Sequence, residues 1–252
     1  MEKAHTKANA AIIVIGNEIL SGRTQDINVS FLSKWLNEIG IRVEEVRIIE
    51  DKEKSIVDCI KEIKNKFKYV FTTGGIGPTH DDITSESIAN AFNQKYTINS
   101  EAFKILENYY PYGEFNKGRQ RMAMMPEGAN LIPNPLTAAP GFYFKNIYVL
   151  PGVPVIMKQM INYVLQNIEK GEAKKIVTIN TNLYESTIAE ELALIQKNNP
   201  ECSIGSYPYF NYTEKTGGVN IVVSSWTLEK IDHIINEIIK MISLMGGKSS
   251  IV

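Results

Sequence analysis

The chain is 252 residues long, with 44% hydrophobic and 22% charged residues and a formal net charge of -1. That length can bury a sizeable core in one large or two smaller domains, and near-zero charge offers no broad basic field for nucleic acid. The two cysteines, Cys59 and Cys202, stand without a CxxC or Cys/His cluster, which suits a reducing cytoplasm, and no apolar run is long enough for a signal-peptide core or a membrane span.

Ala10 to Ile15 is a continuous apolar run ending at Gly16, the pattern of a strand buried on both faces of a parallel sheet. After a loop from Gly16 to Thr24, Asp26 reads as a helix N-cap, and Ile27, Phe31, Leu32, Trp35, Leu36 and Ile39 fall at helical spacing before Gly40. Ile41 to Ile49 alternates as a second strand through Val43, Val46 and Ile48, and Asp51 opens a helix carrying Ile56, Ile60, Ile63 and Phe67. Tyr69 to Thr73 is a third strand. It runs through a glycine loop into a helix bearing Ile83, Ile88, Ala89 and Phe92.

Ser100 to Met125 reads as two helices interrupted near Pro111 and Gly113, Leu131 to Gly141 as a proline-rich loop, Phe142 to Leu150 as a hairpin and Val153 to Ile168 as an amphipathic helix. Alternating strands and helices predict a doubly wound, mostly parallel sheet covered by helices on both faces. Charge and glycine around Glu169 to Lys175 predict a boundary, giving domains 1-172 and 173-252. Strand, helix, strand, strand, helix in the second part predict a small α+β layer.

Ligands of open α/β sheets bind at the carboxyl ends of the strands, where two marked loops leave. In the first, Gly74, Gly75 and Gly77 precede Thr79, His80, Asp81, Asp82 and Thr84. The glycines read as a tight turn or as a backbone cradle for phosphate, with neither the Lys of a Walker A loop nor GxGxxG spacing. Asp81 and Asp82 read as acids of a first helical turn or as holders of Mg²⁺ beside a phosphate ligand. His80 reads as a surface loop residue.

The second loop carries Glu18, Ser21, Arg23, Asp26 and Asn28. Arg23 could receive a phosphate, and Glu18 or Asp26 could hold a metal or position water. Arg119, Gln120 and Arg121 read as a second anion patch or as a solvated helix face. Pro140, Gly141, Pro151, Gly152 and Pro154 fix rigid turns that shape the same cavity.

Gly74 to Thr84 resembles the GGxGPTxDDxT signature of the MoaB/Mog-like molybdopterin-binding family. The nearest branch is that of the N-terminal domain of competence-and-damage-inducible protein A and the molybdopterin-binding-like domain of FAD synthases. Further matches are Gly16 to Gly22, Asp26 with Asn28, Pro126 with Gly128 and Ala129, Asn134, Ala139 to Gly141 and Leu150 to Pro154, together spanning Ile12 to Met157.

The resemblance implies a three-layer α/β/α fold with a mostly parallel sheet. Asp26 and Asp82 match the family's paired acids, with Gly74, Gly75 and Thr84 as ligand-contacting positions. Together with the reading of the residues, the expected site has Asp82 and Asp26 as catalytic acids, Mg²⁺ or another divalent cation held by Asp82, Asp81 and Glu18, and ligand contacts from Gly74, Gly75, Gly77, Thr79, Thr84, Arg23, Ser21, Asn28, Pro140 and Gly141. The expected partner is a small nucleotide or pterin, not nucleic acid or membrane, and relatives of this fold commonly form homo-oligomers.

The implied activity is cleavage of a dinucleotide pyrophosphate such as ADP-ribose or FAD. Alternatives are a non-catalytic pterin or nucleotide binder and a molybdopterin adenylyltransferase. Thr137 and Ala138 depart from a common Gly-Thr, Ile156 from an acid and Met122 from a Gln. The amidase domain of the longer bacterial proteins does not follow here, so no amide hydrolysis is expected.

Overall fold

A computed structural model describes residues 8–213, 216–226 and 228–252, so the polar N-terminal stretch lies outside it as far as residue 7. The chain divides into two compact units, one ending at Gly171 and the other running from Glu172.

The first unit runs β1 (Asn9–Ile15), α1 (Asn17–Leu20), α2 (Asn28–Glu38), β2 (Arg42–Ile49), α3 (Glu53–Ile63), β3 (Tyr69–Thr73) and α4 (Thr84–Ala91). It continues with β4 (Tyr96–Ile98), α5 (Ser100–Tyr109), α6 (Lys117–Arg121), β5 (Met124–Pro126), β6 (Asn130–Ile132), β7 (Gly141–Phe144), β8 (Ile147–Leu150) and α7 (Pro154–Val164).

Its main sheet has six strands in the order β2-β1-β3-β8-β7-β6. β2, β1, β3 and β8 are parallel, and β7 is antiparallel to both its neighbours. β1 is buried because strands flank it on both sides and helices cover both faces. Ile13 and Ile15 join Ile56, Ile60 and Ile63 of α3 and Ile88 of α4. Ala10 and Ile12 join Leu32 and Leu36 of α2 and Met157, Met160 and Ile161 of α7. Phe71 is fully buried and stacks on Tyr148 at 5.2 Å between ring centroids, and a side chain of that size contributes about 1.5–3 kcal/mol by leaving water.

The second unit runs β9 (Lys175–Thr181), α8 (Glu185–Asn198), β10 (Cys202–Asn211), β11 (Thr216–Ser225), α9 (Leu228–Leu244) and β12 (Ser249–Ile251). Its four-stranded sheet, β10-β11-β9-β12, is antiparallel throughout. Alternate residues Val219, Ile221 and Val223 of β11 pack with Ile188 and Ile195 of α8 and Ile234, Ile238 and Ile242 of α9. Among the described residues no helix is long and apolar enough to cross a membrane.

Several boundaries differ from the sequence reading. Asp26 is not the N-cap: Ile27 occupies that position, and the Asp26 carboxylate accepts the amide of Val29 at 2.9 Å. Asp51 does not open α3, which starts at Glu53; its Oδ2 instead accepts the amide of Asn17 at 2.7 Å. Asp81 and Asp82 precede α4, whose first-turn acid is Glu86.

In β2 the pairing skips Glu44, since Ala10 faces Val43 and Ala11 faces Glu45. This bulge turns Val46 and Ile48 to an exposed face and swings Arg47 under α3, where it binds Glu62. The short strands β5 and β6 fall largely in stretches read as helix and loop, and β4 and β12 in stretches given no element, all being three residues each and too short to show alternation.

Candidate functional site

β1, β2 and β3 lie side by side and parallel, so their carboxyl ends open onto one edge of the sheet. Each end feeds a loop that contributes to a single cavity of about 810 Å³.

The loop after β3 is shaped by its glycines. Gly74 has φ +105° and Gly75 φ +68°, a backbone region that side chains resist. A Cβ on Gly74 would stand 2.1 Å from the carbonyl oxygen of Ile15, and one on Gly75 2.2 Å from Oγ1 of Thr84. Thr84 fastens the loop from behind: its hydroxyl donates to the Gly74 carbonyl and its amide to the Gly75 carbonyl, both at 3.0 Å. The carbonyls are thereby turned inward. The amides of Gly75, Ile76 and Gly77 donate to no acceptor among the described residues, and all three residues line the cavity.

Four carboxylates face the same space: Glu18, Asp51, Asp81 and Asp82. Asp82 accepts the Thr79 amide at 2.8 Å, and the Thr79 hydroxyl reaches Asp81 at 2.7 Å. That hydroxyl holds Asp81 below the usual carboxylate range. Burial pushes Asp51 up; the amide of Asn17 opposes the rise, and the charges of Glu18, Asp81 and Asp82 add to it.

Further walls come from Tyr110, Arg119 and Met122, from Asn134, Thr137 and Ala139, and from Pro151 to Pro154 with Ile156 after β8. Gly152 lies against Gly74, where an added Cβ would meet the Gly74 Cα at 3.3 Å.

Glu18, Gly74, Gly75, Gly77, Asp81 and Asp82 thus meet as the sequence led one to expect. Arg119, Pro151, Gly152 and Pro154 line it as well, whereas the remaining expected ligand contacts do not. Thr79 stands behind the two acids it bonds, and Thr84 is wholly buried beneath the glycine loop. Ser21 bonds the Glu18 carbonyl at 3.3 Å, and Arg23 is exposed. Asp26 is engaged by the Val29 amide, and Asn28 is buried against Gly152. Pro140 lines a separate cavity of about 170 Å³, and Gly141 is packed so closely in β7 that a Cβ would stand 2.4 Å from the Val149 carbonyl oxygen. His80 is an exposed loop residue, its side chain 98% accessible.

Asp51, Thr24 and Tyr110 line the cavity without having been singled out for it. The signal for Asp51 was available, because it follows β2 as Glu18 follows β1 and the glycine loop follows β3.

No group of three or more His, Cys, Asp or Glu among the described residues could hold a metal ion by itself. The donors are hard oxygens, the kind that meet Mg²⁺ with one or two carboxylates while water and phosphate complete the shell. The set therefore fits a cation that arrives with a phosphate ligand.

Residues 11–170 match the model of a family described as a probable molybdopterin binding domain. The chain belongs to that family. The second unit of this molybdopterin-binding family member matches the middle domain of FAD synthase over residues 176–245. A protein of Archaeoglobus fulgidus is 33% identical over 226 residues, which is 90% of this chain and 94% of that one. A protein of Sulfolobus acidocaldarius is 35% identical over 252 residues and 95% of each chain. Among solved structures, the protein CinA of Thermoplasma acidophilum, described as of unknown function, matches with a TM-score of 0.61 and 30% identity, over 64% of this chain and 98% of that one. The glycine-and-acid loop that motivated the resemblance lies inside the matched molybdopterin-binding region, and the mostly parallel sheet is the fold the family implies.

Proposed function

We propose that the cavity binds the pyrophosphate of a dinucleotide such as ADP-ribose or FAD together with Mg²⁺ or another divalent cation, and that the protein hydrolyses the phosphoanhydride. The observation that carries this reading is the run of three amides, Gly75 to Gly77, without an acceptor among the described residues, in a cavity also lined by four carboxylates. Amides suit phosphate oxygens, whereas carboxylates repel them unless a cation stands between. When bound, the cation supplies charge neutralisation and polarises the phosphoryl group.

The protein's own parts divide as follows. The Gly75 to Gly77 amides take non-bridging oxygens and oppose the charge that develops on them. Asp82, fixed by the Thr79 amide, would supply the main carboxylate to the cation, with phosphate and water completing the shell while Asp81 and Glu18 face the same space. Asp51 accepts the proton of the attacking water, because burial raises its affinity for one. The water oxygen bonds to phosphorus, the bridging P–O bond breaks, and the second phosphate leaves with the electron pair. Asp26 has no part in this scheme, being engaged at the start of α2.

Incubation with ADP-ribose or FAD and divalent cations, beside Asp82→Asn, tests the reading. AMP release that needs the cation and is lost in the variant is expected; no release, or equal release by the variant, overturns the catalytic part. A non-catalytic pterin or nucleotide binder is the second reading, favoured by the family's description as molybdopterin-binding. Calorimetric binding without turnover would select it. Adenylyl transfer to molybdopterin is the third, and a product carrying AMP on the pterin would mark it.

A further inference from the structure

The described residues lining the main cavity include four carboxylates and one cation, Arg119. Its guanidinium is held in place from two sides. Nη1 donates to the Glu114 carbonyl at 2.6 Å and to the Glu114 carboxylate at 3.0 Å, and Cζ lies 4.1 Å from the centroid of the Tyr110 ring. Tyr110 is itself stacked on Phe115, with 12° between the ring planes.

Both protein bonds fall on Nη1. The opposite edge, Nε with Nη2, donates to no acceptor among the described residues. That edge presents two parallel N–H groups, the geometry that matches a pair of phosphate or carboxylate oxygens. The other guanidinium of α6 is engaged differently: Arg121 donates from Nη1 to the Thr79 carbonyl at 3.3 Å and so ties α6 to the acidic turn. Gly118 allows the close approach, since an added Cβ there would stand 3.2 Å from the Pro78 carbonyl oxygen.

We propose that Arg119 grips the ligand's phosphate through its Nε–Nη2 edge, so that the cavity selects pyrophosphate-bearing ligands over neutral nucleosides and pterins. The inference rests on the phosphate-ligand reading of the cavity. Tyr110 and Glu114 are positioning residues that hold the free edge in one orientation. Among the described residues no other cationic side chain lines the cavity, so without Arg119 the ligand's negative charge would be met by backbone amides, neutral polar side chains and a bound cation.

The test is calorimetric titration of the full chain, with Mg²⁺ present, using a methylene-bridged analogue of ADP-ribose that cannot be hydrolysed. Adenosine, which lacks phosphate, is titrated beside it. Loss of a charge-assisted bond corresponds to about 10- to 100-fold weaker binding. Arg119→Gln is expected to lose that much affinity for the analogue and to bind adenosine as wild type does. Arg119→Lys, which keeps the charge and loses the fork, is expected to fall between the two and secures the test if Arg119→Gln does not fold. Glu114→Gln is expected to weaken the analogue in the wild-type background and to have no further effect beside Arg119→Gln. Wild-type affinity for the analogue in both Arg119 variants overturns the assignment. Failure of the wild-type protein to bind the analogue at all overturns the phosphate-ligand reading on which it stands.

Discussion

Asn28 donates from Nδ2 to the carbonyl oxygen of Gly152 at 2.8 Å, joining residues 124 positions apart. The bond fastens the start of α2 to the turn after β8, and that turn lies against Gly74. Asn28 is 3% exposed, whereas Gly152 is exposed and lines the cavity, so the side chain is fixed by packing while its partner carbonyl can still reach water. Asn28 therefore holds the cavity wall from behind and is not itself part of the lining.

Asn28→Ala is expected to destabilise the first unit by about 0.5–1.5 kcal/mol, the net range for a hydrogen bond whose partner can turn to water. Thermal unfolding should show a loss of several degrees, at about 2–4 °C per kcal/mol for a domain of this size. Asn28→Asp should be worse at neutral pH than in acid, because ionisation turns the donor into a second acceptor facing the Gly152 carbonyl. A melting temperature within a degree of wild type in both variants would remove the bond from the account.

Gly74→Ala places a Cβ 2.1 Å from the Ile15 carbonyl at a φ of +105°, so both the backbone and its neighbour must shift. A cost of about 1–3 kcal/mol for the strained backbone is expected, together with loss of ligand binding as the Gly75 to Gly77 amides move. Gly22→Ala is the control. Its φ is also positive, at +71°, yet nothing lies within 4 Å of the added methyl, so only the conformational term of about 1 kcal/mol applies and binding should persist. Equal effects of the two substitutions on binding would mean that the glycine loop does not shape the site.

Asp51 has its pKa raised in the folded chain, chiefly by burial. The folded state then holds its proton more tightly than the unfolded state does. Its contribution to stability is present below the ordinary carboxylate range and is lost as pH rises through the raised value. Asp51→Asn, which can still accept the Asn17 amide, should reduce that pH dependence and melt higher than wild type near neutrality. A divalent cation should narrow the difference by lowering the pKa of Asp51 in the wild type. Melting curves across the acid range, with and without Mg²⁺, check both points, and parallel pH profiles for the two proteins would refute them.

The α/β order was legible because each early strand ends in a turn signal and each helix shows its apolar stripe. The site was half legible for the same reason: the glycine loop and Glu18 sit at strand ends that apolar runs mark clearly. What was hidden depended on register and on distant partners. One skipped residue at Glu44 reverses the faces of β2, and no local pattern announces it. Asp51 was read as a helix start because an acid ahead of a helix ordinarily caps it, whereas here the Asn17 amide takes the carboxylate. Arg119 was one of three charged or polar neighbours, and only Tyr110 and Glu114 distinguish it by fixing its guanidinium at the cavity wall. Asn28 and Thr84 read as ligand contacts; both are buried off the cavity lining, where each bonds the backbone that forms the wall.

Asp26 and Asp82, paired by motif, should separate by experiment. Asp26 accepts the Val29 amide and lies off the cavity wall, so Asp26→Ala removes a helix-start bond worth about 1 kcal/mol. Its expected signature is a lower melting temperature with AMP release within a few-fold of wild type. Asp82 faces the cavity and is fixed by the Thr79 amide, so Asp82→Asn keeps the shape and removes the charge that would hold the cation. Its expected signature is a near-unchanged melting temperature with release reduced at least about 100-fold, the scale of losing one electrostatic contact to the reacting group. Steady-state rates and melting curves on the same preparations decide the matter. If Asp26→Ala were as inactive as Asp82→Asn while equally well folded, the cavity described here would have to extend to Asp26 when ligand binds.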